Sequence, residues 1–333
     1  MIEKLLQSNT QRLDTLESSP LAKLPVEVLQ QIADSLPVVS ATTLSLSCRK
    51  ILHLIGTKYL KELATFRSRK LEILNLLERD LRDQIVCIPC KRLHKIQDAR
   101  KYTINGHQDW AMSPCILADG GGPAIFIHES FSTTIFKMLM KHHHYFGDET
   151  QSRQLISLLS EDCQNSDKFS AGRDLKADFR IKNGSLYMLK RVVFHGKYRD
   201  VIQELLIPES ICPHLEGKST GPASLCGATL DPPRDKWFMP LPCNVIPKSN
   251  GNSVVICSKL LRCQYCRTEY KTSLEHKDGC RSKLTVTIWK DLGHGIDSKE
   301  WKAHIDNNLS SPLSIQWQAG EIAAVFDEVI GPR

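Results

Sequence analysis

From Leu24 to about Asp83 the apolar positions recur at helical spacing. Val28, Leu29, Ile32 and Leu36 fall at i, i+1, i+4 and i+8 and make one stripe. Pro25 stands where a helix can begin, Glu27 suits its first turn, and Leu36-Pro37 ends it. Ser40 is the expected N-cap of a second helix, whose face is Leu44, Cys48, Ile51, Leu52 and Ile55. A third helix is predicted from Lys58 to Asp83, with Leu63, Leu71, Leu74, Leu77 and Leu81 on its stripe. The pattern lapses over residues 85–125, which are polar and turn-rich and end in Gly120-Gly121-Gly122-Pro123. Helical spacing returns over 125–160 with Phe131, Ile135, Leu139, Leu155, Leu158 and Leu159.

From Phe179 the spacing shortens to that of strands, and Asn183-Gly184 marks a hairpin turn between two β-prone runs. Residues 216–252 are rich in Gly, Pro and Ser and are expected to form a long flexible loop. Residues 253–290 read as strands around a turn at Lys277-Asp278-Gly279. No repeat of 20 to 50 residues interrupts this order. The predicted class is α+β: helices first, then a mixed, mostly antiparallel β region with helices. The predicted division is a polar leader at 1–20, a helical module at 21–60, a linking helix at 61–84 and an α+β domain at 85–333.

Length and composition agree with a globular chain: 333 residues, 41% hydrophobic and 24% charged. The net charge of +7, drawn from 44 basic and 37 acidic residues, is too diffuse for a dedicated nucleic-acid binder. The start, MIEKLLQSNTQRLDTLE, has no apolar core of a secretory signal, and no run approaches the ~18 apolar residues of a membrane span. The expected compartment is the cytoplasm or nucleus, and the sequons at Asn183 and Asn308 are then accidental. The familiar catalytic signatures (G-x-S-x-G, P-loop, H-E-x-x-H, G-x-G-x-x-G) are missing, and the glycine run lacks the Lys-Ser/Thr of a phosphate cradle.

Twelve cysteines change the picture more. In a reducing compartment close pairs favour metal binding, redox chemistry or plain burial over disulfides. Cys87/Cys90 and Cys263/Cys266 have the C-x-x-C spacing that sets two thiolates around one ion when the backbone turns as a knuckle. Cys90 and Cys263 are too far apart in sequence to argue for a shared ion. His94 and Cys115 follow the first pair; Cys212, His214, Cys257 and Cys280 lie near the second. Cys212-Pro213-His214 offers two ligands to Cys263 and Cys266. The candidate ligands for structural zinc are therefore Cys87, Cys90, Cys212, His214, Cys263 and Cys266. Buried structural thiols remain the competing reading. A redox pair lacks its usual βαβ setting, and Lys91 and Arg267 stand where haem attachment needs His. His142-His143-His144 point in different directions on a helix and read as a solvated helix end.

The segment LAKLPVEVLQQIADSLPVVSATTLSLSCRKILHLIGTKYL resembles the F-box, through Leu24-Pro25-x-Glu27-Val28-Leu29, Ile32, Leu36 and Leu44-Ser45-Leu46-Ser47-Cys48-Arg49. The resemblance implies short helices that bury one face and offer another to a Skp-type adaptor of a cullin–RING ubiquitin ligase. It points to Leu24, Pro25, Val28, Leu29, Ile32 and Leu44 as the anchors of that contact. Many F-boxes carry a tryptophan shortly after the Cys-Arg pair, where Lys50 and Ile51 stand here, and a weaker dock is expected. The stretches at 76–95, 211–215 and 261–305 are similar to proteins of filamentous fungi that follow an F-box with cysteine-bearing segments. The implied role is a non-enzymatic substrate receptor. The alternative is a zinc-stabilised nucleic-acid or protein interaction module, motivated by Lys91, Arg92 and Lys95 at the first pair and Arg262, Arg267 and Lys271 at the second. A hydrolase with a dispersed site ranks last.

Overall fold

The computed structural model describes residues 19–65, 69–103, 114–115, 126–128, 131–160, 172–197, 211–216, 244–247, 253–257, 259–277, 281–305 and 317–327. The chain divides into two compact units between Lys95 and Ile96. Among the described residues no helix is long and apolar enough to cross a membrane.

The first unit is helical. A 3-10 turn, Pro20–Lys23, leads into α1 (Val26–Ser35), α2 (Val38–Ser47), α3 (Arg49–Ile55), α4 (Lys58–Thr65) and α5 (Arg69–Asp80). Two prolines set the first boundaries, because Pro25 and Pro37 occupy the N-cap positions of α1 and α2. Ser40, the expected cap, instead lies inside α2. The stripe from Leu44 to Ile55 is also split: Cys48 adopts an extended backbone (φ −155°, ψ 160°), and its Sγ accepts the Ile51 N–H. Apolar periodicity cannot register such a break, since both helices turn the same face inward. Of the helix expected over 58–83, α4 and α5 cover Lys58–Thr65 and Arg69–Asp80, and residues 66–68 lie outside the described set. Ala33, Ala41 and Tyr59 form one core with Leu36, Leu44 and Ile55 against them. Val39, Leu63 and Ile73 form another. The unit closes with an antiparallel hairpin, β1 (Gln84–Cys87) and β2 (Arg92–Lys95).

The second unit is built on an antiparallel sheet. Its strands are β3 (Gly172–Lys182), β4 (Ser185–Lys197), β5 (Asn244–Pro247), β6 (Ser253–Cys257), β7 (Leu261–Arg262), β8 (Thr268–Lys277) and β9 (Arg281–Asp291). They lie in the order β3-β4-β9-β8-β6-β5, with β7 paired to β8. Asn183 and Gly184 take positive φ (51° and 75°) and join β3 to β4 at the expected hairpin. The expected turn at 277–279 falls between β8 and β9, but residues 278–280 lie outside the described set. Strand β5 corrects the loop expected over 216–252: Asn244–Pro247 pairs with β6. The rest of that stretch, 217–243 and 248–252, lies outside the described residues.

Register puts residues of even number in β4, β8 and β9 on one face. Val192, Val286 and Thr272 are opposite one another, as are Lys190, Ile288 and Tyr270. That face carries Val192, Phe194, Tyr270, Leu274, Leu284, Val286 and Ile288 as a buried cluster. Helices α6 (Thr133–Tyr145) and α7 (Glu149–Leu159) are separate, with Gly147 at positive φ (62°) between them, where one helical stretch was expected. Phe131 and Phe136 of the α6 segment pack with Phe179 of β3 and with Trp301 of α9 (Lys299–Ile305), at ring separations of 5.0–5.9 Å. A short α8 (Pro213–Glu216) lies between α7 and α9 in the chain. The odd face meets α10 (Glu321–Asp327): Tyr187 packs with Trp317, Ile322, Val325 and Phe326, and Leu189 and Trp289 lie against them.

Candidate functional site

Among the described residues two features are candidates for chemistry or binding. The first is the apolar surface of α1. Leu24 and Ile32 are each 36% exposed, Pro25 is exposed, and Val28 is half-buried. Leu29 points the other way and is 1% exposed, so it holds the unit's interior together. Leu44 is half-buried against Ala33, Ala41 and Tyr59. Of the six candidate anchors, four therefore offer surface on and just before α1, and two support it from within. Tyr59 braces the far end of α1, donating its hydroxyl to Asp34 Oδ1 at 2.5 Å, where Lys58 Nζ also lies at 2.8 Å. Those hydrogen bonds, that from Lys58 first, hold the Asp34 carboxyl below its usual range. At the position of the absent tryptophan, Lys50 is exposed and Ile51 is buried.

The second feature is a pair of Cys/His clusters. In the first unit the hairpin turn carries Cys87, Cys90 and His94, whose donor atoms lie within 4.8 Å of one another. The Cys90 N–H donates to Cys87 Sγ at 3.4 Å, and Lys91 takes a left-handed backbone (φ 49°), which is how the turn folds back under its own sulfur. Cys115, the further candidate in the sequence, is buried.

In the second unit Cys212, His214, Cys263 and Cys266 come together, again within 4.8 Å, and all four are buried. A tetrahedral zinc with ~2.3 Å Zn–S bonds needs donors about 3.8 Å apart, which this group can meet. The knuckle is locked by its backbone: Cys263 N–H donates to Thr268 O (2.9 Å), Thr268 N–H to Cys266 O (2.8 Å) and Tyr265 N–H to Cys263 Sγ (3.4 Å). Cys212 and His214 enter from α8 and the residue before it, and the His214 ring stacks on Tyr265 (5.4 Å, 26°). The pairing of Cys212-Pro213-His214 with the second C-x-x-C, offered by the sequence, is thus present in space. Of the other neighbours in sequence, Cys280 lies outside the described residues, and Cys257 is described only as part of β6.

The electrostatics are those of a shared proton problem. Hydrogen bonds from Cys212 and then Cys266 pull the Cys263 thiol far down, while Cys212 is pushed up to about 12 by its bond to Cys263, and burial pushes Cys266 up. A divalent ion would let all three ionise. Around this cluster three buried polar atoms lack hydrogen-bond partners: His214 Nδ1, Lys290 Nζ and His304 Nδ1. His304 of α9 approaches as well, its Nε2 2.8 Å from Asp291 O; burial, with the Lys290 charge, lowers its pKa to about 3.

Lys290 and His304 were not singled out in the sequence. The signal for Lys290 was present: it continues the row Leu284, Val286, Ile288 at the same parity, so strand alternation puts it on the buried face. The basic residues at the second knuckle divide. Lys271 is exposed, but Arg267 is buried and paired with Asp291 (2.7 Å) and Glu321 (3.0 Å). Of the three histidines 142–144, His142 corrects the reading of a solvated helix end: it is 3% exposed, 3.4 Å from Ser152 Oγ and stacked on Phe146.

Comparison with known families decides the first feature: residues 21–63 match the model of the F-box domain. The helical module is an F-box. The F-box spans α1 to α4 and includes every candidate anchor. Proteins with this domain act as adaptors that bind Skp-type subunits in SCF ubiquitin ligases. No curated protein and no solved structure matches the chain.

Proposed function

We propose that this chain is the substrate-receptor subunit of an SCF-type cullin–RING ubiquitin ligase. Its F-box would hold the Skp-type adaptor, and the α+β unit would hold the protein to be ubiquitinated. The observation that carries this reading is the F-box match together with an α1 that closes its own core through Leu29 and Ala33 and still presents Leu24, Pro25, Val28 and Ile32. A few such apolar anchors suffice to seat a helix in a partner's groove. The receptor itself needs no catalytic group, since tethering a target beside the ligase raises its effective concentration. It would work in the cytoplasm or nucleus, where thiols stay reduced. The test is a pull-down with a Skp-type adaptor. Binding is expected from the native chain and lost with Leu24→Asp and Val28→Asp together; binding that survives both substitutions rejects the proposal.

The two clusters are proposed to hold structural zinc, the ion suited to thiolate and imidazole donors in a tetrahedron. Native mass spectrometry before and after a chelator should show the mass of bound zinc and its loss. The reading as a nucleic-acid module draws on less, because the Arg267 guanidinium is already engaged by two carboxylates.

A further inference from the structure

Lysine 290 sits at the end of the apolar row Leu284, Val286, Ile288 on β9, fully buried, and its Nζ has no hydrogen-bond partner. A buried ammonium with no partner is not a stable arrangement for a protein interior; such charges are normally paired. Its neighbours show what would pair it. Thr268 is directly opposite in the β8–β9 register, and the Thr268 hydroxyl lies 3.1 Å from Cys266 Sγ. Burial pulls the Lys290 ammonium below its ordinary range, and the charges that oppose this are those of Cys266, Cys212 and Cys263. Lys190, on the same face in β4, acts on it with like charge and adds to the need for anions.

The second cluster has the opposite surplus. Two positive charges on a zinc ion, three thiolates and a neutral imidazole leave one net negative charge in the interior. We infer that Lys290 is the counter-charge of a Cys₃His zinc centre at Cys212, His214, Cys263 and Cys266, each making the burial of the other tolerable. This rests on the reading of the second cluster as a zinc site and goes beyond it, by assigning a residue outside the ligand set and a charge state to the filled site. Lysine 290 is here a positioning residue: it acts on the ion through the field at the sulfurs and does not ligate it.

The test uses the full chain with Cys87→Ser and Cys90→Ser, so that zinc release to a chromogenic chelator reports the second cluster. Lys290→Met keeps most of the stem's volume and drops the charge. Release is expected to quicken about 10- to 100-fold, the usual effect of losing a partner that supports the ligands. A purely space-filling lysine predicts no change, and unchanged release overturns the inference. Cys212→His supplies a charge test. It makes the centre Cys₂His₂, which is neutral without help, so Lys290→Met with Cys212→His should hold zinc longer than either single variant. A double variant that releases zinc faster than both singles also overturns it. If the parent chain holds no zinc at all, the zinc reading itself falls, and that outcome is separate from failure of the counter-charge.

Discussion

Asp291 shows how much a single residue organises at the end of the sheet. Its Oδ2 accepts from Arg267 at 2.7 Å, its Oδ1 takes the Gly293 N–H at 2.9 Å, and its carbonyl meets His304. Both side chains of the ion pair are below 10% exposed, and without Asp291 the Arg267 guanidinium keeps only the half-exposed Glu321. Asp291→Ala is expected to cost about 1–3 kcal/mol, the range for leaving a buried polar group unsatisfied, read by chemical denaturation. His142 gives a pH dependence. Burial depresses its pKa below the ordinary imidazole value, so the folded state keeps it neutral while the unfolded chain takes up a proton first. Stability from this site is complete above the ordinary value and is lost as pH falls below about 6.5. A thermal melt should therefore weaken on acidification, and His142→Leu should flatten that response. Residues of this kind were the least legible in the sequence. Nothing in Lys141-His142-His143-His144 distinguishes the imidazole that turns inward, because that depends on α7 packing against α6.

At the scale of elements, legibility followed periodicity. The stripes of α1 and α2, the Asn183-Gly184 hairpin and the strand alternation of β8 and β9 are local signals, and the structure carries them. The break at Cys48 was hidden because a stripe continues across it. Strand β5 was hidden because Asn244–Pro247 lies in a stretch of turn-forming residues and gains its order from pairing with β6. Helix α10 shows a dependence on distant sequence of another kind. Glu269, fully buried on β8, accepts the N–H groups of Gly320 (2.5 Å) and Ala323 (2.9 Å) and so caps a helix about fifty residues away. Loss of this cap by Glu269→Ala is expected to cost about 0.5–2 kcal/mol, the range for helix caps, and to raise amide exchange in 321–327 ahead of the sheet.

At the scale of the whole molecule, the candidate metal chemistry and the F-box use different residues. The F-box core is Ala33, Ala41 and Tyr59 with their apolar neighbours, and the candidate ligands all lie after residue 63. Chelation should therefore lower the melting temperature while adaptor capture through the F-box persists. Loss of capture with the metal would count against this separation.

The meeting of Cys212 with Cys263 also has a topological meaning. An ion held by both ends fastens the chain across an excursion of about fifty residues, as a crosslink would, and removes most of the entropy that this stretch would otherwise gain on release. Once the ends are fastened, the length between them matters little, since doubling such a loop costs only about 0.6 kcal/mol.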